Sequence, residues 1–445
     1  MLSRRQVLQS AAGVCVVGTA DSIEASQAGR RPKVAMLMTE CRQRSHGHVI
    51  LENFIERPLF RGEWLDPGCD IVAIWEDQHP EKDLAPGVAR TYGIPTFNSI
   101  KEALCLGGNR LAVDAVLSIG EHGNYPVNSR GQREYPRKRF FDEIVAVFRE
   151  SGRVVPVFND KHLSYRWDWA REMYDTSREL GIPFMAGSSV PLAQRRPPID
   201  IPAGARITEA VAVHGGPFES YDFHGFELLQ SMVEGRAGGE TGVEEMRHVS
   251  TPDALWKAAE AGEWSPDLAE AALKAEMGDQ FPGLKEMVRR EEQANTGRRR
   301  SGAWGTLIRY VDGTKGSVVR IGRSDMRWNF ACRIAGRPDP VATSCYVGPW
   351  DNRCLFKALS HAIQAMFRTG KPSYPVERTL ITTGMTDIMT ASREAGDRPI
   401  GTPHLRIAYQ PIDFSAFREN GKSWEVLPPT TPQPDGIHKP PIRLK

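Results

Sequence analysis

Val154–Gly187 reads VVPVFNDKHLSYRWDWAREMYDTSRELGIPFMAG. It opens on a short apolar run, Val154–Val157, and turns through polar residues. It then enters a long amphipathic stretch, Ser164–Leu180, closed by Gly181, and ends on a second apolar run, Pro183–Ala186. Two short apolar runs joined by a helical segment predict parallel strands with a crossover helix. Glycine just past a helix is a common stop. Upstream the pattern repeats. Lys33–Met38, Asp70–Trp75 and Asp114–Ile119 read as strands, and His48–Arg57, Asp83–Tyr92, Ser99–Leu104 and Arg137–Glu150 as helices. Together these predict a doubly wound parallel sheet of the α/β class. Ligands of such sheets lie outside the carboxyl ends of the strands, which directs attention to the loops 39–48, 76–82, 120–136 and 158–164.

After Gly187 the texture changes. Arg195-Arg196-Pro197-Pro198 reads as a linker. Ile207–Val213 predicts a strand, Phe223–Glu234 a helix, and Pro252 to about Asn295 a helical insertion. Thr306–Tyr310, Gly316–Ile321 and Thr343–Val347 predict antiparallel strands, and Leu355–Arg368 and Val376–Glu394 helices. The expectation is an α+β half with an open, mostly antiparallel sheet and helices on one face. The last 20 residues hold six prolines and should lie extended on the surface. The chain thus divides at 1–28, 29–190, 191–425 and 426–445.

Composition excludes several classes. At 40% hydrophobic and 25% charged the chain is globular in type. Fifty-seven Lys plus Arg against 55 Asp plus Glu gives a net charge of +2, which argues against a nucleic-acid binder. Seven cysteines without CxxC spacing make no disulfide framework. Ser3-Arg4-Arg5-Gln6-Val7-Leu8, the apolar stretch Ala11 to Ala20 and Ser26-Gln27-Ala28 resemble a twin-arginine signal. Such a signal is an address for the translocation machinery rather than a stable membrane anchor. The apolar run is too short to span a bilayer. The expectation is export to the periplasm or beyond, by a route used for proteins that load a cofactor in the cytoplasm.

The order of elements resembles the Gfo/Idh/MocA family of sugar and polyol oxidoreductases, in which a Rossmann-like domain precedes an α+β domain. Three stretches carry the resemblance. In Val154–Gly187, Asp160-Lys161-His162 stands where the family has Glu-Lys-Pro. In Gly215–Val233, His224 and Glu227 fit the His-x-x-acid part of a longer motif, with Ser220 at the first aspartate position. The third is the helix after Gly370-Lys371-Pro372, with Ser392-Arg393-Glu394 near its end. The resemblance implies tightly held NAD(P) and a sugar or polyol substrate. It assigns removal of a hydroxyl proton to Lys161 and His224, with Asp222 a candidate for the missing aspartate's role. It also implies an open-sheet face that serves as a homo-oligomer interface.

The nucleotide loop departs from the family. With His48 on the family's histidine, Glu40, Arg42 and Ser45 occupy the glycine positions. Glycines there permit close backbone approach to pyrophosphate. Arg42 and Arg44 would have to reach the phosphates instead. The implied cofactor contacts are Arg42, Ser45, His48, Glu76, Asp77, Glu121 and Asp160, the acids after the second strand serving the ribose. The implied substrate contacts are His122, Asn124, Tyr125, His162 and Arg195, with Pro126–Pro136 as a substrate-shaping insertion. Each has a plain structural alternative, such as a salt bridge for Lys161 or a core histidine for His224. His46, His48, Glu121, His122, Asp160, His162, Asp222 and His224 also map to strand ends or the junction of the two halves, and imidazole with carboxylate suits first-row metals. A metal-assisted carbohydrate lyase or hydrolase and a non-catalytic sugar-binding protein therefore stay open, although no metal ligand set is assigned. Replacing Arg4 and Arg5 together by lysine should leave the precursor inside the cell in a fractionation experiment. Normal export of that variant would contradict the signal reading.

Overall fold

The computed structural model describes residues 30–293 and 302–437; the signal-like segment 1–28 and the end of the Pro-rich tail lie outside them. The first half alternates strand and helix: β1 (Lys33–Met38), α1 (His46–Ile55), β2 (Asp70–Glu76), α2 (Ala85–Tyr92), α3 (Ile100–Cys105), β3 (Ala115–Ile119), α4 (Arg137–Ser151), β4 (Val157–Asp160), α5 (Trp167–Glu179) and β5 (Phe184–Gly187). The strands form one parallel sheet in the order β2-β1-β3-β4-β5. A lone parallel bridge from Ile74 to Thr96, backed by Phe97 N donating to Ile74 O at 3.0 Å, adds the remnant of a further strand outside β2. With it the order matches that of dinucleotide-binding folds, whose ligand crevice lies where the strand order reverses. Here that place is between β1 and β3. Both strands are buried on both faces and therefore show no polar alternation. Phe140, Phe141, Ile144, Val147 and Phe148 of α4 fall on one helical stripe and pack on the sheet.

β4 begins three residues later than the apolar run suggested. Pro156 has no N–H to give to the ladder, so pairing starts at Val157 and carries the polar, fully buried Asn159 and Asp160 into the sheet. This shift places Lys161 directly beyond the strand.

The second half comprises β6 (Gln194–Arg196), β7 (Ile207–Gly215), α6 (Ser220–Val233), β8 (Val243–Val249), α7 (Pro252–Glu260), α8 (Pro266–Met277), α9 (Leu284–Gln293), β9 (Trp304–Tyr310), β10 (Lys315–Arg320), β11 (Ser324–Ile334), β12 (Val341–Tyr346), α10 (Asn352–Thr369), α11 (Val376–Glu394) and β13 (Ile400–Gly401). Its eight-stranded sheet runs β13-β8-β9-β10-β7-β11-β12-β6, antiparallel except for the β7–β10 pair. The stretch expected to be a linker is the edge strand β6. Cys345 pairs with Arg195, and the Arg196 guanidinium lies 3.5 Å from the Tyr346 ring centre. Pro197 then ends the pairing, as proline does at sheet edges.

A second difference concerns the sheet's faces. Helices were expected on one face, but they cover both. Along β7, Ala210 and Ala212 point into the core shared with α6 and α11. Val211 and Val213 point the other way, onto Leu255, Leu268, Leu273 and Val288 of α7–α9. Period-2 strands with apolar residues on both sides leave neither face suited to water. The insertion covers the face that the resemblance left open. Helix α6 also starts earlier than expected, because Glu219 and Asp222 form a reciprocal capping box at its N-terminus, which puts His224 one turn inside the helix. Beyond α11 the chain makes short helical turns at Pro403–Leu405, Ser415–Phe417 and Ser423–Val426. The described part of the Pro-rich tail, expected to be extended on the surface, instead turns back, with Leu427 buried and Thr431 O accepting from Trp350 Nε1 at 2.9 Å. No described helix is long and apolar enough to cross a membrane.

Leu268 is fully buried between α8 and the sheet. Leu268→Ala should lower unfolding free energy in urea by about 2–5 kcal/mol. A loss below about 0.5 kcal/mol, the size of a surface substitution, would mean the insertion does not cover that face.

Candidate functional site

The carboxyl ends of β3, β4 and β5 open onto a cavity of about 410 Å³. Glu121 and His122 reach it from the loop after β3, Lys161 from the end of β4, His46 from the start of α1, and His224 from α6. Tyr221, Trp328, Phe218 and Phe356 add aromatic faces, and Val127, Gly131, Arg133 and Tyr135 show that the 126–136 insertion forms part of the wall. Residues far apart in sequence thus meet at one sheet edge.

Glu121 organises the floor. Its Oε1 lies 3.2 Å from Lys161 Nζ, and its Oε2 accepts from Arg137 Nη2. All three side chains are buried. Burial pushes the Glu121 carboxyl up, but the Lys161 ammonium and the Arg137 guanidinium outweigh it and hold the group well below the usual carboxylate range. Arg137 also donates to Asp160 O at 3.2 Å and to His162 Nε2 at 3.1 Å, while His162 Nδ1 donates to Ser164 O at 2.8 Å. Arg137 stands in a run of basic residues, Arg137-Lys138-Arg139, where nothing in the sequence separates the buried cation from its solvated neighbours.

His224 is neutral. Burial lowers its pKa well below the ordinary value, and the Lys161 charge adds to this. Its Nδ1 lies 2.6 Å from Ser188 Oγ, which also accepts from Val190 N at 3.0 Å. That leaves Nε2 for a ligand in the cavity. Ser188 is held in turn by Glu227, whose Oε2 accepts from Ser188 N at 3.2 Å and whose Oε1 accepts from Thr382 Oγ1 at 2.6 Å. A Cβ at Gly187 (φ 125°) would meet Glu227 Oε2 at 2.6 Å, so only glycine lets β5 approach that carboxylate. On the opposite wall His46 Nδ1 donates to Asp160 Oδ2 at 2.6 Å. His122 packs edge-on against His46 with ring centres 5.0 Å apart, and burial lowers its pKa to about 3.

Lys161 (φ 66°), His122 (φ 72°) and Glu219 (φ 70°) all have left-handed backbones and all line the cavity. Non-glycine residues hold this conformation at a cost of about 1–3 kcal/mol each, and such strain concentrates at functional sites.

Other expected site residues lie elsewhere. Asp222 is outside the cavity: its buried carboxylate accepts from Trp304 Nε1 at 3.0 Å, lies 3.2 Å from His214 Nε2 and caps Glu219 N at 3.0 Å. It is committed to structure. His162 sits behind the floor on Arg137. Arg195 is buried beneath the second sheet's edge, donating to Ile199 O at 2.9 Å. Tyr125 OH donates to Asp77 Oδ2 at 2.6 Å, and Asn124 is bonded through its backbone to Gln78. His48 accepts from Arg44 N at 2.8 Å, and Ser45 caps α1 by accepting from His48 N. With His48, His162 and Asp222 so committed, the eight candidate metal ligands do not gather at one point.

The crevice at the strand-order reversal is filled by protein. Gln78 N donates to Thr39 O at 2.9 Å and Leu84 N to Cys41 O at 2.7 Å, stapling the loop after β2 onto the loop after β1. The Gln78 side chain bonds Asn124 N and O at 2.8 and 3.2 Å, tying in the loop after β3. Both Asp77 oxygens are taken, by Tyr125 and by Arg139 Nη2 at 2.6 Å. Arg42 Nε donates to Glu40 Oε1 at 2.6 Å, and Arg44 is held by Asp351 and Asn352 at 2.9 and 3.1 Å. At Gly47 a Cβ would come within 2.5 Å of Glu40 O, so loop and helix already touch. The residues present do not fit a pyrophosphate seated on the start of α1, nor an adenosine ribose on Asp77.

No family model and no curated protein matches the sequence. Solved structures do match in fold. GenD2 from gentamicin A biosynthesis, in complex with NAD, superposes with a TM-score of 0.53 at 11% identity, covering 84% of this chain and 96% of that one. For the myo-inositol 2-dehydrogenase from Lactobacillus plantarum the values are 0.52, 10%, 84% and 99%. For the apo scyllo-inositol dehydrogenase from Lactobacillus casei they are 0.51, 10%, 84% and 98%. At such identities the likeness establishes the fold: a Rossmann-like sheet followed by a mostly antiparallel one.

The buried histidines have a consequence for stability. Burial lowers His48 from 6.5 to about 4 and His122 from 6.5 to about 3, and lowers His162 and His224 too. Below pH 6.5 the unfolded chain therefore takes up protons that the folded chain refuses. The histidines' contribution to stability is full above 6.5 and falls as pH drops towards 4, by up to about 1.4 kcal/mol per pH unit for each. Thermal midpoints should drop between pH 7.5 and 5.5, less steeply in His122→Asn. Burial raises the Glu76 carboxyl to about 8 and acts in the opposite direction over this window, so the test is the difference between the two proteins: a drop as steep in His122→Asn as in wild type would contradict the buried neutral histidine.

Proposed function

We propose that this protein is an enzyme of Gfo/Idh/MocA type acting on a sugar, polyol or similar polyhydroxy compound, with Lys161, Glu121 and His224 as its acid–base centre. The observation that carries the reading is the meeting, in one cavity, of a buried Lys–Glu ion pair and a neutral imidazole whose Nε2 is available. Neutral His224 suits removal of a hydroxyl proton. The Lys161 ammonium, fixed by Glu121, suits holding the oxygen on which negative charge develops. The rings of Tyr221 and Trp328, stacked at 4.9 Å, and that of Phe356 offer flat apolar faces for the C–H surface of a substrate ring.

The fold neighbours favour oxidation of a hydroxyl as the first form of this chemistry; a nicotinamide would supply the hydride acceptor there, but it would have to bind otherwise than on the start of α1 and Asp77. The filled crevice favours a second form: proton-transfer chemistry on a carbohydrate, of lyase or hydrolase type, that needs no dinucleotide. Export by the twin-arginine route belongs to the same proposal and would place the substrate outside the cytoplasm.

Mass spectrometry of co-purifying small molecules and titration with NAD and NADP separate the two forms. Saturable nucleotide binding supports the first, and no binding at millimolar concentration supports the second. In either form Lys161→Ala should cost at least about 10²-fold in turnover of the sugar or polyol found by screening, the low end for losing an acid–base group. Circular dichroism should be unchanged. Wild-type turnover in that variant would overturn the assignment.

A further inference from the structure

We infer that Glu76, His79 and Asp83, at the carboxyl end of β2, form a binding site for a divalent first-row metal ion. One ligand atom from each lies within 4.8 Å of the others, with His79 Nδ1 3.6 Å from Glu76 Oε2 and 3.3 Å from Asp83 Oδ2. Among the described residues this is the only trio of His, Cys, Asp or Glu side chains so arranged. Both carboxylates are withdrawn from water: the Glu76 side chain is 4% exposed and that of Asp83 9%. The charged groups acting most strongly on Glu76 are Asp83 and Glu40, both acids. Glu76 Oε1 is wholly buried and accepts no hydrogen bond. A buried acid with one oxygen unbonded and a second acid beside it is costly, and a cation bound between Glu76 and Asp83 would relieve the repulsion between them. One imidazole with two carboxylates suits zinc or manganese better than calcium or magnesium, which favour all-oxygen shells. His79, 71% exposed, gives the ion its route from solvent.

The site has a structural consequence. The loop from Asp77 to Leu84 is the one stapled onto Thr39 and Cys41 across the crevice. An ion joining Glu76 to His79 and Asp83 would clip that loop at both ends and hold the crevice shut. It uses no residue of the acid–base centre, so the two assignments stand or fall separately.

Calorimetric titration of the chelator-treated full chain with ZnCl₂ tests it. Wild type should bind one equivalent with a dissociation constant below about 10 µM, near −7 kcal/mol. His79→Ala and Glu76→Gln should each weaken binding by at least about tenfold, since even outer-shell partners of a metal site cost 10–100-fold. His79 is exposed, so its variant keeps the fold, and zinc should raise the thermal midpoint of wild type but not of this variant. No saturable binding below about 100 µM, or variants that bind as wild type does, would overturn the site.

Discussion

The buried contact between Glu121 and the two cations Lys161 and Arg137 is the constraint on which the site depends. Three charges withdrawn from water are tolerable only while the carboxylate stays in contact with both cations. Breaking such a set by removing one partner costs about 3–5 kcal/mol, because the remaining charges stay buried. The arrangement therefore does more than hold loops together. It fixes Lys161 at the cavity floor in a left-handed backbone, and the positive charge it maintains helps keep His224 neutral. Arg137 extends the set to Asp160 O and His162, so the ends of β3 and β4 and the start of α4 share one electrostatic unit.

The fold and the crevice pull in different directions. The strand order and the arrangement of the two sheets are shared with GenD2 and the inositol dehydrogenases that this chain resembles in fold. The place where such folds seat a dinucleotide is occupied instead by backbone hydrogen bonds between loops and by ion pairs of Arg42, Arg44 and Asp77. A scaffold holds its shape through burial of strands and helices, which tolerates wide changes in loop chemistry. That separation explains how a chain 10–11% identical to its fold neighbours keeps both sheets while filling the crevice with its own side chains.

Much of this was legible in the sequence, for physical reasons that differ by element. Parallel strands buried on both faces give unbroken apolar runs, so β1, β2, β3 and β5 could be read directly. The residues just beyond β3 and β4, Glu121, His122 and Lys161, followed from the rule that ligands lie at carboxyl ends. β11 was not legible, because SDMRWNFACRI mixes charged and apolar residues without alternation. β6 was hidden by its arginines, one buried and one stacked on Tyr346. Arg137 and Ser188 could not be picked out at all, since a buried cation and a positioning hydroxyl look like any surface Arg or loop Ser until tertiary contacts are known. Asp222 was misassigned because adjacency to His224 in sequence says nothing about facing: two residues apart on a helix point in different directions.

The most direct test of the account is the protonation state of His224. Imidazole ¹⁵N chemical shifts of the labelled protein, with His224 assigned by comparison with His224→Gln, report which ring nitrogen carries a proton as pH is lowered from 8 to 5. The account predicts a neutral ring that does not titrate across this range, with its Nδ1 signal shifted in Ser188→Ala. A His224 that takes up a proton with a midpoint near 6.5 would contradict it, because a solvated, ordinary imidazole there is incompatible with the buried Lys161–Glu121 centre.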